Sequence, residues 1–447
     1  MPQATSIRKK LRPIQLAAII FLTVSGGPYG LEPLLTYAGQ NGALLLLIIT
    51  PILWDIPTIF VVLELNSMMP VTGGYYQWVK RALGMRLGFY EGWWTWLYTF
   101  VDLAIYPVLF VEYAAFFFPG IESFKIPVCL AIIWVSAALN IIGIVPVGKT
   151  SMILGAVVIA PFFILFIYAL WGYEGNLSFP HLSLKGLSFS SIGMALYTVM
   201  WNFIGWDNTT TYAEEVNKPV RSYMISIATA FALIFLVYFA AVFVAQGSGV
   251  DLNTLNEEGF PVLGTLLAGK WLGALLAAGG MASGLGLYSA VLLSVSRIPQ
   301  AMAEDRMLPA KLNTLHPRFQ TPYISIIVCS CVVSLMVFWT FEDLLVIDVT
   351  LYGAALFLEF ITLIVLRHKV PLEHRPFKIP LSIPGLCLMT LLPLSVYAIA
   401  IVAAFFDEGG AFKSLAFALA ALFSAEVVWR LIKWKQRSTI NFGGSKS

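Results

Sequence analysis

The chain has 447 residues, of which 59% are hydrophobic and only 11% charged, with a net charge of +3 and a mean hydropathy of +0.83. Soluble domains carry about 25% charged residues, so a water-soluble globular protein is excluded and an all-α polytopic membrane protein is expected. The four cysteines (Cys129, Cys329, Cys331, Cys387) read as small core packers and the four histidines (His181, His316, His368, His374) as loop residues. Neither set has metal-ligand spacing, so no metal, no cofactor, no nucleic-acid partner and no enzyme chemistry is expected.

Residues 1–13 are polar and basic, and no small-residue cleavage site follows the first apolar run. They read as a cytoplasmic tail before a retained helix. Apolar runs of about 20 residues span a bilayer, and twelve are predicted: 14–38, 44–69, 87–117, 126–145, 150–172, 189–213, 222–246, 271–299, 322–341, 343–366, 381–406 and 411–434. With the N-terminus inside, 23 of the 27 Lys and Arg fall on cytoplasmic segments, leaving only Lys125, Lys185, Lys270 and Lys413 outside. That bias satisfies the positive-inside rule and puts both termini in the cytoplasm. The cell (inner or plasma) membrane is the expected location.

The first run is interrupted by Ser25-Gly-Gly-Pro-Tyr-Gly-Leu-Glu-Pro33. Glycine costs about 1 kcal/mol and proline about 3 kcal/mol per interior helical position, so a regular helix cannot continue here. Irregular backbone at membrane depth survives only where it lines a cavity or is buried in protein. The alternative is a kink that merely shapes packing. A second break, Asn202-Phe-Ile-Gly-Trp-Asp-Asn208, interrupts the sixth run, and again a carboxylate follows the glycine. Broken helices in corresponding positions of two halves point to an inverted-repeat transporter. The expected organisation is a five-helix repeat over 14–172, an inverted repeat over 173–366, helices eleven and twelve over 367–434, and a cytoplasmic tail over 435–447.

Acids within spans are costly and need a reason. The runs hold Glu32, Asp55, Glu64, Asp102, Glu112, Asp207, Asp348 and Glu359, and no basic residue lies deep in any of them. Such acids are protonated, hydrogen-bonded or completed by a cationic ligand. Trp94, Tyr98, Asp102 and Tyr106 recur every four residues on one face of the third helix. They read either as an amine-binding wall with cation–π contacts or as a packing stripe. Glu64 reads as structural or gating, and Asp55 as satisfying groups freed by Pro57. Asp348, Tyr352 and Glu359 read as scaffold hydrogen-bonders on one face of the tenth helix, with a direct ligand role for Glu359 as the alternative. An amino-acid transporter of this architecture holds the substrate carboxylate on free N–H groups at a half-helix N-terminus. Here Pro28 and Pro33 remove donors and Glu32 occupies the positive end, which favours an amine without a carboxylate. A neutral amino acid held on Gly26 and Gly27 is the competing expectation.

Together, Ser25-Gly-Gly-Pro-Tyr-Gly-Leu-Glu32, Glu91-Gly-Trp-Trp94, Asp102-Leu-Ala-Ile-Tyr-Pro-Val-Leu-Phe110, Trp206-Asp207, Glu214-Glu-Val216, Ser296-Arg297, Glu304-Asp-Arg-Met-Leu-Pro309, His316-Pro-Arg-Phe-Gln-Thr-Pro322, Leu358-Glu-Phe360 and Arg375-Pro-Phe-Lys-Ile-Pro380 resemble the amino acid–polyamine–organocation superfamily, and its polyamine:proton symporter branch in particular. At the second helix the pattern departs, with Thr58 where plant members carry an acid and Asp55 one turn earlier. The resemblance implies a LeuT-type five-plus-five fold and proton-coupled secondary transport by alternating access. It also implies a site between helices one and six. Matched by motif, the substrate-binding candidates are Gly26, Gly27, Tyr29, Glu32, Asp102, Tyr106, Trp201, Trp206 and Asp207, and Glu32, Asp102 and Asp207 are candidates for proton coupling. The expected partners are a cationic amine such as putrescine or spermidine (alternatively an amino acid), protons or sodium, and the lipid bilayer.

Overall fold

The computed structural model describes residues 10–171, 177–179, 182–337, 341–406 and 411–443, with the side chains of 341–343 and 437–443 left aside. His181, residues 1–9 of the predicted N-terminal tail and residues 444–447 of the C-terminal one lie outside this set, and the last helix runs on into the predicted C-terminal tail as far as Gly443. The described residues are helical throughout, with two isolated β-bridges, Leu11–Val216 and Thr72–Tyr212, and no strand.

The first predicted run divides at its break. Helix α1 (Pro13–Val24) stops there, and α2 (Glu32–Thr50) restarts at the acid and bends at Gly39 (φ 64°) instead of ending in a loop. A single π turn, Pro51–Asp55, carries it into α3 (Ile56–Met68). Next comes α4 (Gly74–Leu83), which is too polar along one side to register as an apolar run. Then follow α5 (Met85–Ala114), α6 (Lys125–Ile142) and α7 (Ile144–Trp171).

The sixth run is helical only over α8 (Phe189–Trp201); beyond the break it becomes two 3-10 turns, Asn208–Thr211 and Ala213–Glu215. Helix α9 (Pro219–Gly247) is followed by two short helices absent from the expectation, α10 (Leu252–Glu258) and α11 (Phe260–Ala268). The chain continues through α12 (Lys270–Val295), α13 (Arg297–Glu304) and α14 (Tyr323–Met336). It finishes with α15 (Phe341–Lys369), α16 (Ile383–Ala404) and α17 (Ala411–Gly443). His368 lies in the last turn of α15, not in a loop: Arg367, His368 and Lys369 prolong the helix at its negative end.

Among the described residues, nine helices or joined helices are long and apolar enough to cross a membrane, and Pro13–Val24, Phe189–Trp201 and Tyr323–Met336 are shorter apolar helices. Leu388 and Leu391 of α16 and Phe417 and Phe423 of α17 are exposed, as are Cys331 of α14 and Cys387 of α16, which are therefore not core packers. An apolar surface on that scale suits lipid, not water. At the centre, α12 packs on α5, α7 and α11, and α15 packs on α5 and α17.

The face that carries the chain ends is closed. Leu11 and Asn217 exchange backbone hydrogen bonds with Glu215 and Leu11 (both 3.0 Å), and Gly73 N–H donates to Thr211 O at 2.8 Å. Ion pairs Lys80–Asp305 (2.7 Å), Arg81–Glu373 (2.8 Å) and Arg297–Glu215 (3.2 Å) rim it. Glu64 is held there by Arg367 at 2.5 Å, Arg375 at 3.3 Å and the Ile379 N–H at 2.8 Å, contacts that fit either half of the structural-or-gating expectation. The opposite face opens into a cavity of about 950 Å³.

Candidate functional site

Both breaks are built from backbone that side chains would obstruct. Gly26 has φ 59°, and a Cβ there would lie 2.4 Å from Leu287; Gly30 has φ 96°, and its Cβ would lie 2.6 Å from the Trp201 ring. Glycine alone reaches such conformations at low cost. The two breaks touch. Asn202 donates to Gly30 O at 3.0 Å, and Tyr238 of α9 donates to Asn202 O at 2.9 Å with Ser25 O at 3.4 Å.

The amides of the first break are already committed. Ser25 and Gly26 N–H donate to Phe21 O (both 3.0 Å), Leu31 N–H to Pro28 O (3.0 Å), Gly27 N–H to Ser25 Oγ (2.9 Å) and Gly30 N–H to Glu32 Oε2 (2.6 Å). Pro28 has no donor. The nest of free amides that would hold a substrate carboxylate is thus largely filled by the protein's own oxygens.

The nominated residues do not form one cluster. Glu32 opens α2, where it accepts from Tyr113 OH at 2.5 Å and borders the large cavity. Tyr29 turns away from the second break, donating to Leu276 O at 2.7 Å and meeting Tyr113 edge-on at 4.8 Å. Trp206 donates to Asp55 Oδ1 at 3.0 Å, so Asp55 ties the second helix to the second break instead of capping the proline-freed backbone; Thr58 Oγ1 takes Trp54 O at 2.7 Å. Trp94 donates to Leu422 O, facing α17. Four-residue steps drift about 40° each around a helix of 3.6 residues per turn, which separates Trp94 from Asp102 and brings Glu91 onto the inner face.

That inner face carries the central feature. Asp102 of α5 lies within reach of Tyr106 and the Trp201 indole, and faces Asp348 of α15. Four residues below, Tyr98 and Tyr352 pack edge-on with ring centroids 5.4 Å apart. Seven residues further, Glu91 faces Glu359. Numbers rise along α5 as they fall along α15, in equal steps, so the two helices form an antiparallel ladder of acid, tyrosine and acid. Asp207 of the second break joins it by accepting from Tyr352 OH at 2.9 Å, and Tyr98 OH donates to Asn208 at 2.8 Å. Asp102, Asp207, Asp348, Glu91 and Glu359 are all buried; Asp348 lies within reach of the Trp201 indole, and neither oxygen of Glu91 or Glu359 meets a hydrogen-bond donor. Among the described residues, no ion pair reaches any of them, and no group of three His, Cys, Asp or Glu is arranged to hold a metal ion.

Glu91 is what the sequence reading passed over as a buried acid; Asp348 and Glu359 were expected on one face of the tenth helix but not opposite Asp102 and Glu91. The eleven-residue spacing of 91 to 102 and of 348 to 359 was a legible signal, because eleven residues make almost a whole number of turns.

The large cavity is lined by Glu32, Glu112, Glu122, Glu257 and Glu258 and by no Lys, Arg or His. It reaches Gly30 of the first break and is walled by α10 and α11.

The amino acid permease family model matches residues 11–425. A polyamine transporter of Arabidopsis thaliana (RMV1) is 32% identical over 91% of this chain and 83% of its own length. The rice polyamine transporter PUT1 is 30% identical over 86% of this chain and 72% of its own length. A serine/threonine exchanger of Bacillus subtilis is 21% identical over 84% of this chain and 87% of its own length.

Proposed function

The chain belongs to the amino acid permease family, within the amino acid–polyamine–organocation superfamily, and we propose that it is a proton-coupled secondary transporter of organic amines such as putrescine or spermidine. The carrying observation is the set of buried carboxyls at and beside the breaks that, among the described residues, have no ion-pair partner. Removing a charge from water costs several kcal/mol unless it is paired, and a cationic cargo supplies the pairing. Asp102 and Asp348 meet one ammonium, with Trp201 and Tyr106 as cation–π walls. Asp207 lies beside Tyr352, one helical turn or about 6 Å along α15. A short alkyl diamine bridges that separation.

The acidic cavity is the entry, drawing polycations by its field. The two polyamine transporters among the named relatives support the same cargo. Nine long and three shorter apolar helices among the described residues support a reading as twelve spans, in a LeuT-type five-plus-five arrangement with two added helices. The closed terminal face is then cytoplasmic and the cavity external, an outward-facing state of an alternating-access cycle.

The test is uptake of labelled putrescine into proteoliposomes under an inward proton gradient, with amino acids as competitors. Gradient-dependent amine uptake that ignores serine is expected, and Asp102→Asn reduces it to background. Uptake of serine without amine uptake contradicts the reading. The serine/threonine exchanger among the relatives keeps amino-acid exchange as the second reading.

A further inference from the structure

Of the buried carboxyls that the amine leaves unused (Glu32, Asp55, Glu64, Glu91 and Glu359), Glu91 and Glu359 are the two, among the described residues, with neither oxygen on a donor. Glu91 and Glu359 are fully enclosed between α5 and α15, about 16 Å along the axis from Asp102 and Asp348 at 1.5 Å per residue. All four of their oxygens lack a donor. The titratable groups that face them are Asp207 from the second break, Tyr75 from α4 and Tyr352 from α15; no Lys, Arg or His does so among the described residues. Carboxyls that face one another can bond only when one of them carries a proton.

We infer that Glu91 and Glu359 form a proton-binding site separate from the amine-binding carboxyls, with Asp207 linking the two. A proton needs no volume of its own, whereas an alkylammonium does, and both side chains are enclosed by packed helices. A metal cation is disfavoured because no suitable group of three ligands is present among the described residues.

The site also has a gate. Tyr75 is fully buried, and its hydroxyl reaches Asn208 Oδ1 at 3.4 Å. It belongs to α4, whose leading residues are fastened to the 3-10 turns beyond the break by Gly73 N–H to Thr211 O and Thr72 Oγ1 to Glu214 (2.9 Å). When that clamp opens, Tyr75 withdraws and the terminal face gains access to the glutamates. A proton taken up from the cavity side onto one Glu carboxyl leaves to water on the terminal side, so each cycle moves one proton with no bond made or broken in the cargo. The inference rests on the proposed transport for its role but not for the existence of the site.

The experiment uses the full purified chain in two forms. Infrared difference spectra between acid and alkaline buffer, without cargo, report the carbonyl stretch of protonated carboxyls. The wild-type band is expected to lose a component in Glu91→Gln and in Glu359→Gln. In proteoliposomes, Glu359→Gln is expected to keep putrescine counterflow and to lose gradient-driven accumulation. Asp102→Asn loses both, and Glu359→Asp, which keeps the carboxyl, restores part of the accumulation. Unchanged spectra in both Gln variants, or full accumulation by the double Gln variant, overturn the inference. So does loss of counterflow in Glu359→Gln, which would make the residue part of the cargo site. If the wild type takes up no amine, the transport reading fails while the spectra still decide the proton site.

Discussion

Glu64 and Glu359 are equally buried, yet their surroundings are opposites. Glu64 has both oxygens engaged, by two arginines and a backbone N–H, in one enclosed clamp on the closed face. Glu359 has neither oxygen on a donor and faces two other acids. A buried charge with its partners built in is scaffold, because removing either side strands the other. A buried acid whose partners are missing from the chain is open to something that arrives from outside. Charge and burial alone do not separate these two cases; the neighbours do.

Breaking the clamp should cost the most. Arg367→Met leaves the Glu64 carboxylate buried with less compensation, and a loss of about 3–5 kcal/mol is expected, read as a lower unfolding temperature in detergent. Next in size is Gly30→Ala, where a Cβ meets Trp201 and φ is left-handed. About 1–3 kcal/mol of strain follows, along with impaired amine uptake, because the two breaks shift against each other. Lys80→Met removes a half-exposed ion pair with Asp305 and should change stability by less than about 1 kcal/mol. Its readout is conformational: cysteine accessibility on the terminal face rises. Smallest is Glu359→Gln, expected to leave the unfolding temperature unchanged or raise it, since no built partner is lost. If Glu359→Gln destabilises as much as Arg367→Met, the contrast between the two acids collapses.

Much of this organisation was legible in the residues. The breaks announced themselves because glycine and proline cannot sustain a helix at those positions. Acids in apolar runs stood out because no basic residue lies deep in those runs, but the partners of Glu64, Arg367 at the end of α15 and Arg375 and Ile379 beyond it, came only with the structure. Two features were hidden. Helix α4 is short and half polar, with Lys80 and Arg81 on it, so no apolar run marks it. Glu91 sits near the start of α5 among Tyr90, Gly92 and Trp93, where an acid reads as the end of a span. Its spacing from Asp102 was visible in the chain. The antiparallel register that sets Glu91 against Glu359, 268 residues apart in the chain, is a property of two helices together and had to come from packing.

The most direct measurement is equilibrium binding of labelled putrescine to the purified protein, with serine as competitor and Asp102→Asn as control. Cation recognition by buried acids requires saturable putrescine binding, indifference to serine and loss of binding in Asp102→Asn. Saturable serine binding that survives Asp102→Asn would contradict it and assign the buried acids to protons and structure alone.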